Sequence, residues 1–429
     1  MFRRKWSGLP ADPIFPTELK ELGYFINKDD EIRSIEDEDN YFKFFINRNN
    51  RWNDRQRFSM NQAVQKEIHE RLENLGLKKV TLPLSNKDPS KPHVPIFISN
   101  DIASKSRVVL IVGESAQDLG LLAHRVVGGP GGVNKGSLVS IVTELQKQRA
   151  SPNDATSPGI IIANPGELLW WPRGARTLSD SAWRAAPMRS AVHDGHAVAR
   201  ENEVPANRTR AEHLRYVLDT VVPTFLDPKA RLQVVAVGDG ADLVERALDW
   251  DPMWSKWQKS LDCLALVGTL HPVWELQCQG FKEFLRKKAR AYALSPEPLG
   301  LILSGPDGNP KTSTFTQLGC PVVSSGESQH IETTLIAAKD IVLGWLQEVA
   351  LLGAAYENPQ FEVLYEDPPR EDEGDLDWSK WTDEGKKQAW YNPNDKDDDD
   401  GDETEKGEKK AGKQGMETVK EEVEGEDKD

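Results

Sequence analysis

The stretch LQVVAVGDGADLVERAL, residues 232–248, decides the fold. An almost uninterrupted apolar run leads into a Gly-Asp-Gly turn, and a helical pattern follows the turn. Apolar runs that do not alternate with polar residues are typical of strands buried on both faces of a parallel sheet. The stretch therefore predicts a buried strand, a tight turn and a helix in direct succession.

Similar apolar runs recur on both sides of this stretch. They are Val108–Val112, Gly159–Ala163, Leu232–Val237, Cys263–Gly268, Leu299–Ser304 and Cys320–Ser325. Helical patterns such as residues 59–75 and 281–293 lie between the runs or before them. This alternation predicts a doubly wound, mostly parallel α/β sheet with flanking helices. Three earlier runs, at residues 41–46, 79–84 and 94–99, are expected to add strands to it.

The formal net charge of −15 is concentrated at the C-terminal end of the chain. Residues 366–429 contain 25 acidic and 11 basic residues, whereas residues 1–365 contain 44 acidic and 43 basic residues. A segment so charged and so poor in apolar residues cannot bury enough surface to offset its ordering entropy. We therefore expect a folded domain over residues 1–365 and a disordered acidic tail over residues 366–429. The nearly neutral domain carries no overall charge signature of nucleic-acid binding.

Cysteine content and hydropathy exclude several classes of protein. The three cysteines, Cys263, Cys278 and Cys320, show no CxxC spacing and an odd count, which argues against a disulfide framework or a zinc site. The N-terminus lacks the apolar segment of a signal peptide, and no run is long enough to span a membrane. The sequence indicates a soluble intracellular protein, and we expect no metal, no cofactor and no membrane partner.

The Gly-Asp-Gly turn lies where α/β-hydrolases carry their nucleophile, in a G-x-S-x-G elbow between strand and helix. Two registers of this motif fit. In the first, Gly240 takes the nucleophile position, which is then empty. In the second, Asp239 takes it, and some hydrolases do use aspartate there. A dinucleotide-binding loop is a poorer match because its third glycine would fall on Leu243. We favour the empty elbow.

Two further residues match the order of a hydrolase triad. The acid normally follows the next-to-last strand, where Asp307 lies, and the histidine normally follows the last strand, where His330 lies. Without a nucleophile such a pair has nothing to activate. Either the two residues form a vestigial pair, or Asp307 is a turn residue and His330 precedes the last helix.

The chain resembles a known family over about residues 12–355. The segment FPTELKELGYFIN, residues 15–27, looks like the start of the Argonaute-binding-protein-two domain of fungi. Further similar segments are FKFFINRNNRWNDRQRFSMNQAV (42–64), VVLIVGES (108–115), IIIANPGE (160–167) and VGDGAD (237–242). In this family, related domains occur at the C-terminus of class II histone deacetylases and in a metazoan cotranscriptional regulator. The founding member is a subunit of the Argonaute small-RNA chaperone complex, which acts in heterochromatin formation.

The resemblance implies an α/β-hydrolase-like fold used as a protein-interaction module. It implies a non-catalytic adaptor in RNA-directed heterochromatin silencing, located in the nucleus, with the cytoplasm as a second compartment. The implied partners are Argonaute or another subunit of the chaperone complex, with a histone deacetylase or histones as further candidates. Two alternatives stay open: an active hydrolase that uses Asp239 and His330, and a chromatin module that binds histone tails. Direct contact with nucleic acid is left undecided.

Three tryptophans, Trp378, Trp381 and Trp390, interrupt the acidic tail. A single indole can bury a large area in a pocket of a partner protein. Argonaute proteins as a class accept such tryptophans, so one hypothesis is that the tail docks on Argonaute or on another subunit. The alternative is that these tryptophans pack back onto the folded domain.

Overall fold

The computed structural model describes residues 8–193, 196–268, 271–312, 317–361, 363 and 366. All of the secondary structure below belongs to the compact unit Met1–Pro368. The predicted acidic tail, apart from Glu366, and its three tryptophans lie outside the described residues.

Thirteen strands form three sheets in the described chain. The large sheet contains β3 (Leu77–Leu82), β4 (Val94–Ser99), β5 (Arg107–Val112), β6 (Gly159–Ala163), β9 (Arg231–Val237), β10 (Leu261–Val267), β11 (Ala289–Ala293), β12 (Ile302–Ser304) and β13 (Val322–Ser324). Two small hairpins consist of β1 (Tyr24–Ile26) with β2 (Ile32–Ser34), and of β7 (Leu169–Trp171) with β8 (Arg176–Leu178).

The α-helices of the described chain alternate with the strands of the large sheet. They are α1 (Asn50–Asn74), α2 (His124–Val127), α3 (Gly132–Lys135), α4 (Leu138–Leu145), α5 (Asp180–Ala185), α6 (Arg210–Tyr216), α7 (Val222–Phe225), α8 (Asp239–Leu248), α9 (Asp251–Trp257), α10 (Gln279–Lys288) and α11 (Thr334–Leu352). A π-helical segment, Val217–Val221, joins α6 to α7. None of the helices in the described ranges has both the length and the apolar character needed to cross a bilayer.

The large sheet has the strand order β12-β13-β11-β10-β9-β5-β6-β4-β3. Strand β4 is antiparallel to both of its neighbours, and β12 is antiparallel to β13. The other pairs in the sheet are parallel. When β12 at the edge is left out and the other eight strands are numbered by their position in the sequence, their order across the sheet is 1-2-4-3-5-6-7-8. The second strand is reversed, and this is the α/β-hydrolase arrangement. The predicted fold class is confirmed.

The core lies on both faces of this sheet. Val109 and Ile111 of β5 face one apolar cluster with α1, α4 and α11, whereas Val108 and Leu110 face a second cluster with α6, α8, α9 and α10. Because strands β5, β6 and β10 are buried along their whole length, no polar face interrupts their sequence. Their unbroken apolar runs therefore predicted them well.

Three predicted elements differ from the structure. The run 41–46 forms no strand; the backbone N–H groups of Ile46 and Asn47 both donate to the Asn53 side chain at 3.0 Å instead. The run 299–304 yields only the short antiparallel edge strand β12. The helical pattern 281–293 ends at Lys288, and ARAYA continues as β11 between β10 and β13. Tertiary strand pairing overrides the weak local preference of this alanine-rich segment.

Helix α1 also begins earlier than Ser59, the predicted N-cap. Asn49 caps it by accepting a hydrogen bond from the Arg51 N–H. These extra turns bury two arginines, because Arg51 and Arg55 bind the carboxylate of Asp12 at 2.6 and 3.3 Å. Apolar periodicity cannot reveal a helical segment whose buried side chains include ion-paired arginines.

Candidate functional site

The turn between β9 and α8 is shaped like a nucleophile elbow. Gly238, between the last residue of the strand and the first of the helix, has φ 56° and ψ −133°. A residue with a side chain would be strained in this conformation, and the strained apex is where hydrolases hold the nucleophile. The residues two before and two after are the small Ala236 and Gly240. The register of the motif is therefore centred on Gly238.

Both predicted registers were wrong. Gly240 lies in the first turn of α8, where an added Cβ would be 2.7 Å from the Gly113 carbonyl oxygen and 2.9 Å from that of Val112. It is the small residue that allows helix and sheet to cross closely, and it is two residues past the apex. The sequence could not separate the registers because Gly238 and Gly240 both fit the turn. The corrected apex again holds a residue without a side chain.

The space above the apex is filled by Glu114, which follows β5. A Cβ built on Gly238 would lie 2.2 Å from Glu114 Cγ and 2.6 Å from its Oε1. In α/β-hydrolases the loop after the equivalent strand contributes to the oxyanion hole. Burial raises the pKa of the Glu114 carboxyl, and the negative charges of Asp239 and Glu332 raise it further. A carboxyl side chain thus stands where a nucleophile would need room.

Asp239 is the first residue of α8 and not the apex of the turn. Its carboxylate accepts hydrogen bonds from the Ser115 N–H at 2.8 Å and from the Ser115 hydroxyl. Arg210 Nη1 lies 3.4 Å from the same carboxylate. A negative charge at a helix N-terminus is also favoured by the helix dipole. These contacts account for Asp239 as a group that ties the β5 loop to α8.

The predicted acid and histidine are not brought together. Asp307 follows the antiparallel edge strand β12, is 78% exposed, and pairs with Arg286 at 3.0 Å between Oδ2 and Nη1. That pairing holds the pKa of the Asp307 carboxyl below its usual range. The seventh strand of the hydrolase order is β11, so the acid position lies in the loop after Ala293, where Glu297 is the acidic residue. The prediction of Asp307 as the acid was wrong because the segment that forms β11 has a helical pattern in the sequence.

His330 follows the last parallel strand, as predicted. It is half-buried, its backbone N–H donates to Glu327 Oε1 at 3.3 Å, and its backbone carbonyl accepts from the Thr333 hydroxyl at 2.9 Å. No side chain in the described ranges hydrogen-bonds to its ring. His330 thus precedes the last helix, and the structure does not pair it with Asp307.

A cavity of about 620 Å³ lies beside the elbow, between the β5 loop, α1, α2 and the N-terminal segment. Its apolar wall includes Ile32, Phe42, Phe44, Met60 and Val64. Its lining also includes the charged residues Arg57, Arg125 and Glu332, and the side chain of His124. This cavity could not be predicted from the sequence because its lining comes from segments that are far apart in the chain. The only local signals were the aromatic run at 42–45 and the amphipathic pattern of α1.

Buried polar contacts surround Glu167 and Asp118, and Asp118 lies near His124 of the cavity lining. Glu167 accepts hydrogen bonds from the Gln65 side chain at 3.0 Å and from the Leu119 N–H at 2.8 Å, and burial raises its pKa to about 7. Asp118 accepts from the Ser179 hydroxyl at 2.7 Å and lies 3.7 Å from His124. Although burial acts against it, the contact with His124 lowers the pKa of Asp118. Within the described ranges no group of three or more His, Cys, Asp or Glu side chains could hold a metal ion.

Comparison with known proteins identifies the sequence relatives of this chain. The sequence profile of the Arb2 domain matches residues 15–299. The cotranscriptional regulator ARB2A homolog of Xenopus tropicalis is 22% identical over 347 residues, which cover 74% of this chain and 76% of the relative. The human cotranscriptional regulator ARB2A is 23% identical over 344 residues, which cover 74% and 77%.

Among solved structures, a glucuronoyl esterase from Solibacter usitatus aligns with a TM-score of 0.32 and 9% identity. The alignment covers 64% of this chain and 81% of the esterase. The fold is identified by the strand order of the central sheet and not by this distant alignment.

Proposed function

The chain belongs to the Arb2 domain family, and on that premise we propose that it is a non-catalytic binding protein of the transcription and chromatin machinery, located in the nucleus. The resemblance at residues 15–27 is thereby confirmed at the level of the family. Two relatives that carry the name cotranscriptional regulator support the transcriptional part of this role.

The observation that carries the non-catalytic part is the elbow. Acyl transfer on this fold needs a nucleophile at the apex of the turn, activated by a neighbouring base. Gly238 offers no nucleophile, and Glu114 fills the adjacent space. The carboxylate of Asp239 is engaged by Ser115 and Arg210, and these contacts argue against the alternative in which Asp239 acts as the nucleophile.

The finer role that we propose is an adaptor in a nuclear Argonaute and small-RNA complex that directs heterochromatin silencing. Its direct partner would be Argonaute or another subunit of that complex. The acidic tail with Trp378, Trp381 and Trp390 offers the large apolar anchors that such docking uses. Binding of histone tails is the competing role within chromatin.

The non-catalytic part is tested by ester hydrolysis. Purified full-length protein is incubated with short-chain p-nitrophenyl esters, and release of nitrophenol is compared with that of heat-unfolded protein. We expect no difference between the two. Turnover by the native protein that disappears in Asp239→Asn would overturn the proposal in favour of a hydrolase.

The adaptor role is tested by affinity purification of the tagged protein from its native cell, with mass spectrometry and small-RNA sequencing. We expect Argonaute with small RNAs, and loss of both when Trp378, Trp381 and Trp390 are all replaced by alanine. The control is Trp250→Ala, which removes a tryptophan that is 48% exposed on the folded domain. Recovery of histones alone, lost at moderate salt, would support the histone-binding role instead.

A further inference from the structure

The cavity beside the elbow continues into an exposed apolar surface. Phe44, Phe45 and Ile46, here called the aromatic rim, are 50%, 75% and 38% exposed. Phe44 also lines the cavity, so rim and cavity share a residue. Contiguous exposed apolar side chains of this size are uncommon on monomeric proteins and mark interaction sites.

The rim is held in place by the fold. The Ile46 N–H donates to the Asn53 side chain of α1 at 3.0 Å. Phe42 is buried and packs edge-on against Phe44, with 4.9 Å between ring centroids, and against Tyr24 at 5.4 Å. A surface fixed in this way loses little conformational entropy when a partner covers it.

The dimensions of the cavity suit a large side chain. Its volume of about 620 Å³ lies within the range of ligand-binding sites. Met60 and Val64 of α1 and Phe42 form an apolar wall. A small ligand inside the cavity would leave Phe45 and Ile46 uncovered, whereas a peptide segment would cover them and insert one side chain.

The charges around the cavity favour an acidic partner. Arg125 pairs with Glu332 at 2.8 Å, and His124 lies 3.7 Å from Asp118. Arg57 is exposed on α1 at the cavity and has no hydrogen-bond or ion-pair partner in the ranges that the structure describes. An acidic group beside the inserted side chain would form an ion pair with Arg57, whereas a basic group would be repelled.

We propose that this cavity and the aromatic rim bind a segment of a partner protein in which a large apolar side chain is flanked by acidic residues. The inference rests on the proposed function as a binding protein and assigns the surface that performs it. The apolar side chain enters the cavity, the backbone crosses the rim, and an adjacent carboxylate meets Arg57.

The test measures the binding of three fluorescent peptides to the full-length protein by fluorescence anisotropy. The probes are Gly-Asp-Glu-Trp-Asp-Glu-Gly, the same peptide with alanine in place of tryptophan, and Gly-Lys-Arg-Trp-Lys-Arg-Gly. We expect the acidic tryptophan peptide to bind at least about tenfold more tightly than either of the others. Equal binding of all three, or binding of none, overturns the proposal.

Two variants locate the binding surface. Arg57→Glu and Phe44→Ser should each weaken binding of the acidic tryptophan peptide by about tenfold. The matched controls are Arg173→Glu, an exposed arginine of the β7–β8 hairpin, and Leu352→Ser, a 53% exposed leucine at the end of α11. Thermal melting confirms that each variant is folded. Unchanged binding by Arg57→Glu and Phe44→Ser overturns the assignment of the surface.

The same variants separate this inference from the proposed function. If the wild-type protein recovers Argonaute or chromatin proteins from cells and neither variant binds the peptide less well, the adaptor role stands and the surface is wrong. If the wild-type protein recovers none of these proteins but binds the acidic peptide through Arg57, the surface stands and the proposed role is wrong.

Discussion

The elbow and the cavity beside it lie at the same end of the sheet, yet they use space in opposite ways. At the elbow, Gly238 and Gly240 keep the backbone path of a hydrolase, and Glu114 fills the room above it. Beside it, Phe42, Met60 and Val64 line an open volume of about 620 Å³. Backbone geometry is therefore retained where the fold needs it, and open space is found where a partner would bind.

The largest expected effect concerns close packing at the elbow. Gly240→Val should lower the free energy of unfolding by about 3 kcal/mol or more, because its Cβ would meet backbone carbonyl groups that cannot move aside. Gly344→Ala is the control: its Cβ would meet nothing within 4 Å, and alanine in a helix should stabilise the protein by about 0.5–1 kcal/mol. Urea unfolding measures both. A nearly neutral Gly240→Val would show that the crossing of α8 and β5 is loose.

The next effect is a pH dependence of stability, and it arises from a buried carboxyl group of α8, the helix that follows the elbow. Glu245 of α8 is buried, its Oε1 has no hydrogen-bond partner in the described chain, and its Oε2 accepts from the backbone N–H of His271 at 3.2 Å. Burial raises the pKa of Glu245 from 4.5 to about 8. Since the folded state favours the neutral form, the stability contributed by this group is fully present below pH 4.5 and is lost as pH rises towards 8.

Glu245→Gln should therefore remove part of the decline in unfolding free energy between pH 5 and 8, a difference on the order of 1–2 kcal/mol. Urea unfolding of both proteins across this range measures it. The control is Glu275→Gln, which changes an exposed carboxylate near His271. Identical slopes for wild type and Glu245→Gln would mean that the carboxyl ionises normally inside the protein.

A coupling energy of about 1 kcal/mol between positions 238 and 114 tests whether Glu114 occupies the place of a nucleophile. Gly238→Ser should destabilise the protein by about 2 kcal/mol through its positive φ and its overlap with Glu114. In the background of Glu114→Ala the same substitution should cost about 1 kcal/mol less, because only the backbone strain is left. The double-mutant cycle is measured by urea unfolding. If the changes in unfolding free energy of the two single variants add up to that of the double variant, the side chains at positions 238 and 114 do not overlap.

The sequence predicted the elements whose local pattern is complete. Strands β5, β6, β9 and β10 were found within two residues because each is buried on both faces. Strand β11 was missed because ARAYA is stabilised by its neighbours in the sheet and not by its own pattern. That one error moved the expected acid from the loop of Glu297 to Asp307.

The position of the apex of the elbow could not be predicted from the local pattern. The sequence offered Gly240 and Asp239 as the apex, whereas Gly238 occupies it in the structure. The register could be set only by the backbone angles of Gly238 and by the distance from Gly240 to β5. The filling of the space above Gly238 by Glu114 depends on a contact between segments more than 100 residues apart, which no local pattern encodes.

The smallest expected effect on stability distinguishes a surface made for binding from one made for folding. Phe45 is 75% exposed and Phe42 is 8% exposed, although both belong to the same aromatic run. Phe45→Ser should change the free energy of unfolding by no more than about 0.5 kcal/mol, whereas Phe42→Ala should lower it by about 3 kcal/mol. Urea unfolding measures both. If Phe45→Ser destabilised the protein as much as Phe42→Ala, the rim would belong to the core, and its exposure would no longer indicate a partner.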